Sequence, residues 1–400
     1  MGKTDFKSFY IYAKKACPRR SLESTALYKY LVANGLLAVN HPKKADLIFI
    51  YTCGGFAHDE TFSLLTIKKA LKSGSSQVVV TGCLTIINPE ILKTYKNILV
   101  IPPDALEQLD SLIDAKIPYS TFPRVSTVSG INDLYHGDLT YRLRRNIGLN
   151  DKLIKVIGSS IKKNLMSESS SIITDPSFYR LEIAKGCLGN CSYCAIKSAM
   201  PKLHSYPQNE IIESFKNGLT AGYKNFALLA GDIGCYGFDI GTNLPKLLEE
   251  LFKVDGEYKV AMIDLNVRWL VKYYSELLAI LKSNSKKIYT IMMPIQSGSN
   301  KILALMNRHY EIDEVKRFIL DLKENIPGIS IETHIMVGFP GETADDFSKS
   351  VQLVKEIQFS RVEIYKYEDR PGTLALSLPN KVPRDQINQR AKYLRREIRN

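Results

Sequence analysis

Short runs of Ile, Val, Phe and Tyr alternate with stretches of helical spacing along nearly the whole 400-residue chain. A strand followed by a crossover helix returns to its sheet in parallel, so the alternation restricts the chain to α/β architectures with parallel sheets. Ser8 to Ala13, Asp46 to Tyr51, Gln77 to Val80 and Asn97 to Ile101 read as buried strands, with helices over Leu22 to Asn34 and Asp59 to Lys72. Residues 1–116 are therefore expected to form a doubly wound parallel-sheet domain. The periodicity weakens over 117–176, where the serine-rich run Met166 to Ser171 is linker-like in composition; one or two helices are expected there. Six further strand-like runs follow: Tyr179 to Ala184, Asn225 to Leu229, Lys259 to Ile263, Ile288 to Met292, Ser330 to Met336 and Arg361 to Lys366. Helical patterns fall between them at 208–221, 244–253, 270–282, 299–306, 311–324 and 343–357. Six such steps are too few to close an eight-unit barrel, so 177–376 is expected to be a partial (β/α)6 barrel, with a basic helix over 377–400.

The length fits two or three domains. Hydrophobic residues at 45% and charged residues at 24% exclude a disordered or collagen-like chain. No apolar run is long enough to span a bilayer, and the amino terminus lacks a signal-peptide pattern, so a cytoplasmic protein without membrane attachment is expected. The formal charge of +13 favours a nucleic acid or acidic partner. Its spread along the chain is equally that of a basic, AT-biased composition.

The seven cysteines point to metal binding or catalysis rather than disulfides in such a compartment. Cys187, Cys191 and Cys194 follow the first barrel strand on a loop loosened by Gly186 and Gly189, and strand-end loops are where such barrels place their chemistry. Three close thiolates suit an iron-sulfur cluster. A zinc site would need a fourth ligand, and the nearest histidine, His204, lies beyond Pro201; buried free cysteines are the remaining reading. Cys17, Cys53 and Cys83 end three successive strands of the first domain, whose carboxyl ends share one edge of a parallel sheet, so a second metal cluster is expected there.

The CxxxCxxC spacing with Tyr193 before the last cysteine resembles the radical S-adenosylmethionine (SAM) signature. That resemblance implies a [4Fe-4S] cluster with one open iron, which binds SAM and cleaves it reductively to a 5′-deoxyadenosyl radical. With both triads, the chain is similar to the methylthiotransferases of the MiaB and RimO type. Further family-like stretches are Pro294 to Ser299, Met306-Asn-Arg308, Val337 to Thr343 and Tyr367 to Thr373. The resemblance implies two [4Fe-4S] clusters, the second on Cys17, Cys53 and Cys83, and sulfur insertion at an unactivated C–H bond. SAM is then both methyl donor and radical source. It also implies an electron donor such as flavodoxin or ferredoxin and a monomeric enzyme. It places Asp232, Gln296, Arg308 and the Gly338, Phe339 and Gly341 loop near SAM, with Arg308 as a carboxylate partner; no phosphate-loop pattern accounts for that loop. Its glycines are expected where backbone approaches a cofactor, or else in a tight βα turn.

Other residues carry weaker signals. Cys235 reads as a buried or incidental thiol, and His334 as a packed or solvated strand residue. Asp264 and Arg268 could face the cavity or form an ion pair. The acceptor is divided within the family between tRNA adenosines and a ribosomal protein. Departures from the family pattern lie at Arg19-Arg20-Ser-Leu-Glu-Ser after the first cysteine and at Met200-Pro-Lys-Leu-His204, which lacks the usual arginine. The family's RNA-binding TRAM barrel would begin where this sequence stops. These features point to a peptide or protein acceptor. The radical half, through Gly186 to Cys191 and Asp232 to Pro245, resembles the threonylcarbamoyl-adenosine tRNA branch, which the positive charge also favours. A redox-sensing iron-sulfur protein without catalysis is the reading from another functional class.

Overall fold

The computed structural model describes residues 6–13, 18–74, 77–122, 126–127, 172, 175 and 177–399. Cys17 and most of the 117–176 linker, with the helices expected in it, lie outside them. The chain divides into two compact units, Met1–Pro176 and Ser177–Asn400.

The first unit runs β1 (Ser8–Tyr12), α1 (Pro18–Ala33), β2 (Leu37–Ala38), β3 (Leu47–Thr52), α2 (Ala57–Leu71), β4 (Gln77–Gly82), α3 (Leu84–Ile87), α4 (Pro89–Leu92), β5 (Ile98–Val100) and α5 (Leu109–Ile113). Its strands pair in parallel in the order β2-β1-β3-β4-β5. Both faces are covered, which is why the strands read as continuous apolar runs. Phe9, Ile11, Leu47, Phe49 and Val79 share a core with Leu27 and Leu31 of α1. The alternate residues Tyr10, Tyr12, Ile48, Ile50, Val78 and Val80 share another with Ile67 and Ala70 of α2. The chain leaves β1 for β2 on one side and crosses back to β3 on the other, so the winding reverses between β1 and β3. A reversal of this kind opens a crevice at the carboxyl ends of the strands. Gly82, with φ of +98°, closes β4 so tightly that a Cβ there would stand 2.3 Å from the Thr52 carbonyl oxygen.

The second unit carries β6 (Phe178–Glu182), β7 (Ala184–Lys185), β8 (His204–Ser205), α6 (Gln208–Thr220), β9 (Asn225–Leu229), α7 (Leu244–Phe252) and β10 (Lys259–Met262). Then come α8 (Val267–Lys272), α9 (Tyr274–Ser283), β11 (Ile288–Met292), α10 (Asn300–Leu305), α11 (Ile312–Asn325), β12 (Ile331–Val337), α12 (Ala344–Ile357), β13 (Arg361–Lys366) and α13 (Arg384–Arg399). Six strands pair in parallel in the order β13-β12-β11-β10-β9-β6, each laid beside its predecessor. In a flat sheet β6 and β11 would lie about 14 Å apart. The rings of Phe178 and Tyr289 nevertheless meet at 5.0 Å, so the sheet curls into the expected open barrel.

Two sequence-based boundaries change. The run Tyr179 to Ala184 is not one strand: β6 stops at Glu182, and Ala184–Lys185 turns to pair antiparallel with His204–Ser205. The helical pattern over 270–282 is two helices divided at Tyr273.

Candidate active site

The antiparallel β7 and β8 pair fastens the base of the loop that holds Cys187, Cys191 and Cys194. At that base Gly186 has φ of +82°, and a side chain there would strike the Pro201 and Lys202 carbonyls at 2.7 Å. The Gly189 amide donates to the Cys187 sulfur at 3.1 Å. A Cβ on Gly189 would lie 3.2 Å from that sulfur and 3.9 Å from the Cys191 sulfur, so the loop wraps its thiols around a residue without a side chain. Lys197 donates through Nζ to the Cys187 carbonyl. Ser192 pins the far side through its amide to the Met306 carbonyl at 3.0 Å and its hydroxyl to the Leu305 carbonyl at 2.7 Å; its own carbonyl accepts from Ala375.

Arg308 is 7% exposed and braces this loop from behind. Its Nη1 donates to the Tyr193 hydroxyl at 3.1 Å and to the Cys191 sulfur at 3.8 Å. Nη2 donates to Asn266 Oδ1 at 3.2 Å and the Pro294 carbonyl at 2.6 Å, and Nε to the Tyr310 hydroxyl at 2.7 Å. Each N–H of the guanidinium thus has an acceptor. In this arrangement Arg308 is an electropositive support for Cys191 rather than an open fork presented to a carboxylate.

Asp232 likewise holds the frame. It is buried at the end of β9 and accepts from Trp269 Nε1 at 2.8 Å, Gly234 N at 3.1 Å and Asn266 N at 3.2 Å, with Arg268 Nη2 at 3.8 Å. Arg268 therefore pairs with Asp232, and its guanidinium lies over the Trp269 ring at 4.5 Å. Burial raises the Asp232 carboxyl despite these donors. The Cys235 thiol donates to the Asp232 carbonyl at 2.9 Å within the core, and burial pushes it up to about 12, as befits a packed rather than reactive thiol. His334 stands against the Tyr365 ring at 5.1 Å, and burial lowers it to about 4.

Gln296, with φ of +79°, links β11 to β12 through an isolated bridge to Ile335. Its Oε1 is buried without a hydrogen-bond donor among the described residues, an acceptor suited to a bound ligand. Phe339 is fully buried between Tyr193 and Tyr367, with ring centroids at 6.4 and 5.3 Å. Gly338 has φ of +80°, as the tight-turn alternative expects, and a Cβ there would also fall 2.3 Å from Ile387 of α13 behind the loop. Gly341, with φ of +84°, needs glycine for its backbone conformation.

Sequence reasoning missed Asn266, Tyr310, Trp269 and Arg390, and gave Glu342 no role within its stretch. None has a recognisable spacing, because they act through neighbours brought together by the fold. Burial raises the Cys187 thiol and pushes Cys194 up to about 11, so metal uptake there must displace protons. Among the described residues, no three His, Cys, Asp or Glu side chains gather closely enough to grip a single ion. Three cysteines on one short loop, two of them accepting N–H donors, suit an iron-sulfur cluster better than a closed zinc site.

Asp264, a further carboxyl at this end of the barrel, is pushed up to about 6 by burial and by Asp232. A raised carboxyl favours the native state below its unfolded value of 3.8 and loses that contribution as pH rises through 6. The cost above pH 7 is roughly 3 kcal/mol. Asp264→Asn should therefore raise the urea midpoint at pH 8 and leave it nearly unchanged at pH 4. Asparagine tolerates the residue's φ of +62°. An equal effect at both pH values would show that the carboxyl is not the cause.

The radical SAM superfamily model matches residues 181–354, and that of the uncharacterized protein family UPF0004 matches 11–101. A probable threonylcarbamoyladenosine tRNA methylthiotransferase of Pyrococcus horikoshii is 30% identical over 382 residues, covering 95% of this chain and 81% of that protein. The human threonylcarbamoyladenosine tRNA methylthiotransferase is 31% identical over 95% of this chain and 60% of its own length. The ribosomal protein uS12 methylthiotransferase RimO of Protochlamydia amoebophila is 27% identical, covering 92% of this chain and 71% of that protein. Among solved structures, the radical SAM methyltransferase TsrM of Kitasatospora setae shares the fold at a TM-score of 0.61 and 12% identity, over 94% of this chain and 77% of that one. Fold and site thus define a radical SAM enzyme. Within that class, the chain belongs to the methylthiotransferase family. Membership brings a [4Fe-4S] cluster and SAM as cofactors. Among the described residues, no helix is long and apolar enough to cross a membrane.

Proposed function

We propose that this enzyme methylthiolates a threonylcarbamoyl-adenosine of tRNA. The observation that carries this reading is the similarity of 30% to 31% over 95% of the chain to proteins named for that reaction. The relative named for a protein acceptor stands at 27%. The comparisons thus favour tRNA over the peptide or protein acceptor expected from the sequence departures. The charge of +13 supports the same choice.

In this reading Cys187, Cys191 and Cys194 hold the radical cluster, and Cys17, Cys53 and Cys83 a second one. Bound there, the clusters and SAM supply the adenosyl radical, the sulfur and the methyl group. The chain's own residues position and shield that chemistry. The Gly189 amide donates to the Cys187 sulfur and the Arg308 guanidinium to the Cys191 sulfur, hydrogen bonds of the kind that tune a cluster held on those sulfurs. The half-buried Tyr193 ring packs edge-on against the buried Phe339 ring and fixes the aromatic side of the loop. Gln296 Oε1 offers SAM an acceptor for one of its N–H or O–H groups.

The test is nucleoside mass spectrometry of tRNA carrying threonylcarbamoyl-adenosine after incubation with the reconstituted enzyme, SAM and a reductant. A methylthio mass gain is expected on that nucleoside. Binding should weaken steeply with salt, by about 0.7 to 0.9 in log–log slope per phosphate contacted. A flat salt response with sulfur appearing on a protein instead would overturn the tRNA reading.

A further inference from the structure

The departure from the family pattern after Cys17 acquires a physical role in the first unit. Cys53 and Cys83 are the first residues beyond β3 and β4, whose last residues, Thr52 and Gly82, pair directly. The Cys83 amide also donates to the Thr52 carbonyl at 3.0 Å, so the two cysteines lie at one edge of the sheet. Over that edge lies Arg20 of α1, only 4% exposed. Its Nη1 donates to Glu23 Oε2 at 2.5 Å, and its Nη2 donates to the Cys83 sulfur at 3.5 Å. The surroundings are dry: the Tyr51 hydroxyl, within electrostatic reach of Arg20 and Glu23, is buried.

A purely structural arginine would be satisfied by its carboxylate. Here the carboxylate holds one edge of the fork while the other edge is turned to sulfur. A guanidinium N–H aimed at a cysteine sulfur is a charge-assisted donor, and it would act on any group that this sulfur holds. A four-iron cluster on three thiolates is itself anionic and becomes more so when it gains an electron or a sulfur anion. Its potential is set by net charge and by hydrogen bonds to its sulfurs.

We propose that Arg20 is a positioning residue for the second cluster: oriented by Glu23, it donates to the Cys83 sulfur, raises the cluster's reduction potential and strengthens its hold on an anionic sulfur ligand such as hydrosulfide. The proposal rests on the reading of Cys17, Cys53 and Cys83 as a cluster site. Glu23 counters part of the charge, so the two residues act in opposite directions.

The experiment uses the full chain with Cys187, Cys191 and Cys194 replaced by alanine, so that any reconstituted cluster belongs to the first unit. Iron content, potentiometric EPR and titration with sodium sulfide are compared for Arg20, Arg20→Lys, Arg20→Gln and Glu23→Gln. Arg20→Gln should lower the midpoint, cutting the reduced fraction at a fixed potential at least threefold, and should raise the sulfide concentration at half-saturation severalfold. Arg20→Lys should fall between, and Glu23→Gln should shift the midpoint upward. If Arg20→Gln fails to take up iron, the opposite shift in Glu23→Gln still decides. Equal midpoints and sulfide responses at equal iron content would overturn the role of Arg20 while leaving the cluster in place. No iron in the protein with native Arg20 would overturn the cluster reading itself, and this proposal with it.

Discussion

Replacing Cys187, Cys191 and Cys194 with alanine is expected to abolish reductive cleavage of SAM and to remove about four of roughly eight irons per chain. Replacing Cys53 and Cys83 is expected to remove the other four and stop sulfur insertion, while SAM cleavage continues. The asymmetry follows from where the thiols stand. The first set occupies one loop, fastened by β7 and β8 at its base and by Ser192 at its far side. The second set ends strands of a separate compact unit with cores of its own. Losing thiols from one unit should therefore leave the other folded and loaded. Iron and acid-labile sulfide analysis after anaerobic reconstitution, with 5′-deoxyadenosine measured by chromatography, separates the cases. About four irons in both the intact protein and the Cys53/Cys83 variant would mean that the first unit binds no cluster. SAM cleavage surviving in the Cys187/Cys191/Cys194 variant would remove the assignment of that loop.

Much of this organisation was legible because burial writes itself into composition. Strands β9 and β11 match the apolar runs Asn225 to Leu229 and Ile288 to Met292 residue for residue, and the half-buried β13 matches the strand-like run Arg361 to Lys366. The two groups of three cysteines stood out because spacing along a loop, or after successive strand-like runs, is itself a sequence property. What escaped were elements too short for any period and residues whose role depends on a distant partner. Two-residue strands such as Leu37–Ala38, Ala184–Lys185 and His204–Ser205 present no alternation to read. Arg308 was recognised from its stretch, but its engagement with Tyr193, Asn266, Pro294 and Tyr310 spans separate segments. Gly338 was singled out from its stretch, but the side chain that would meet a Cβ there belongs to Ile387, on a helix far along the sequence.

That helix carries the other large expected effect. Arg390, on α13, donates from Nη1 to Glu342 Oε2 at 2.6 Å and to the Glu342 carbonyl at 3.0 Å; both side chains are buried. The same carboxylate oxygen accepts from the Gly338 amide at 2.7 Å, so one buried pair ties the glycine loop to the helix behind it. Burial, with a smaller push from Asp346, raises the Glu342 carboxyl, while the Gly338 amide and Arg390 favour its charged form. Removing the cation leaves a carboxylate that must stay charged in a dry site or take up a proton, and breaking such pairs costs roughly 3 to 5 kcal/mol. Arg390→Met should therefore lower the urea midpoint by an amount corresponding to about that cost, steeply at neutral pH and less in acid, where Glu342 is protonated. The double variant Arg390→Met with Glu342→Gln should recover part of the loss, because the stranded charge is gone while an amide remains to accept from Gly338. The apparent affinity for SAM should weaken in the single variant more than in the double, since the loop carrying Gly338 and Phe339 loses its anchor. Strictly additive losses would show that Arg390 and Glu342 act independently, and the helix would then support the loop through Ile387 alone.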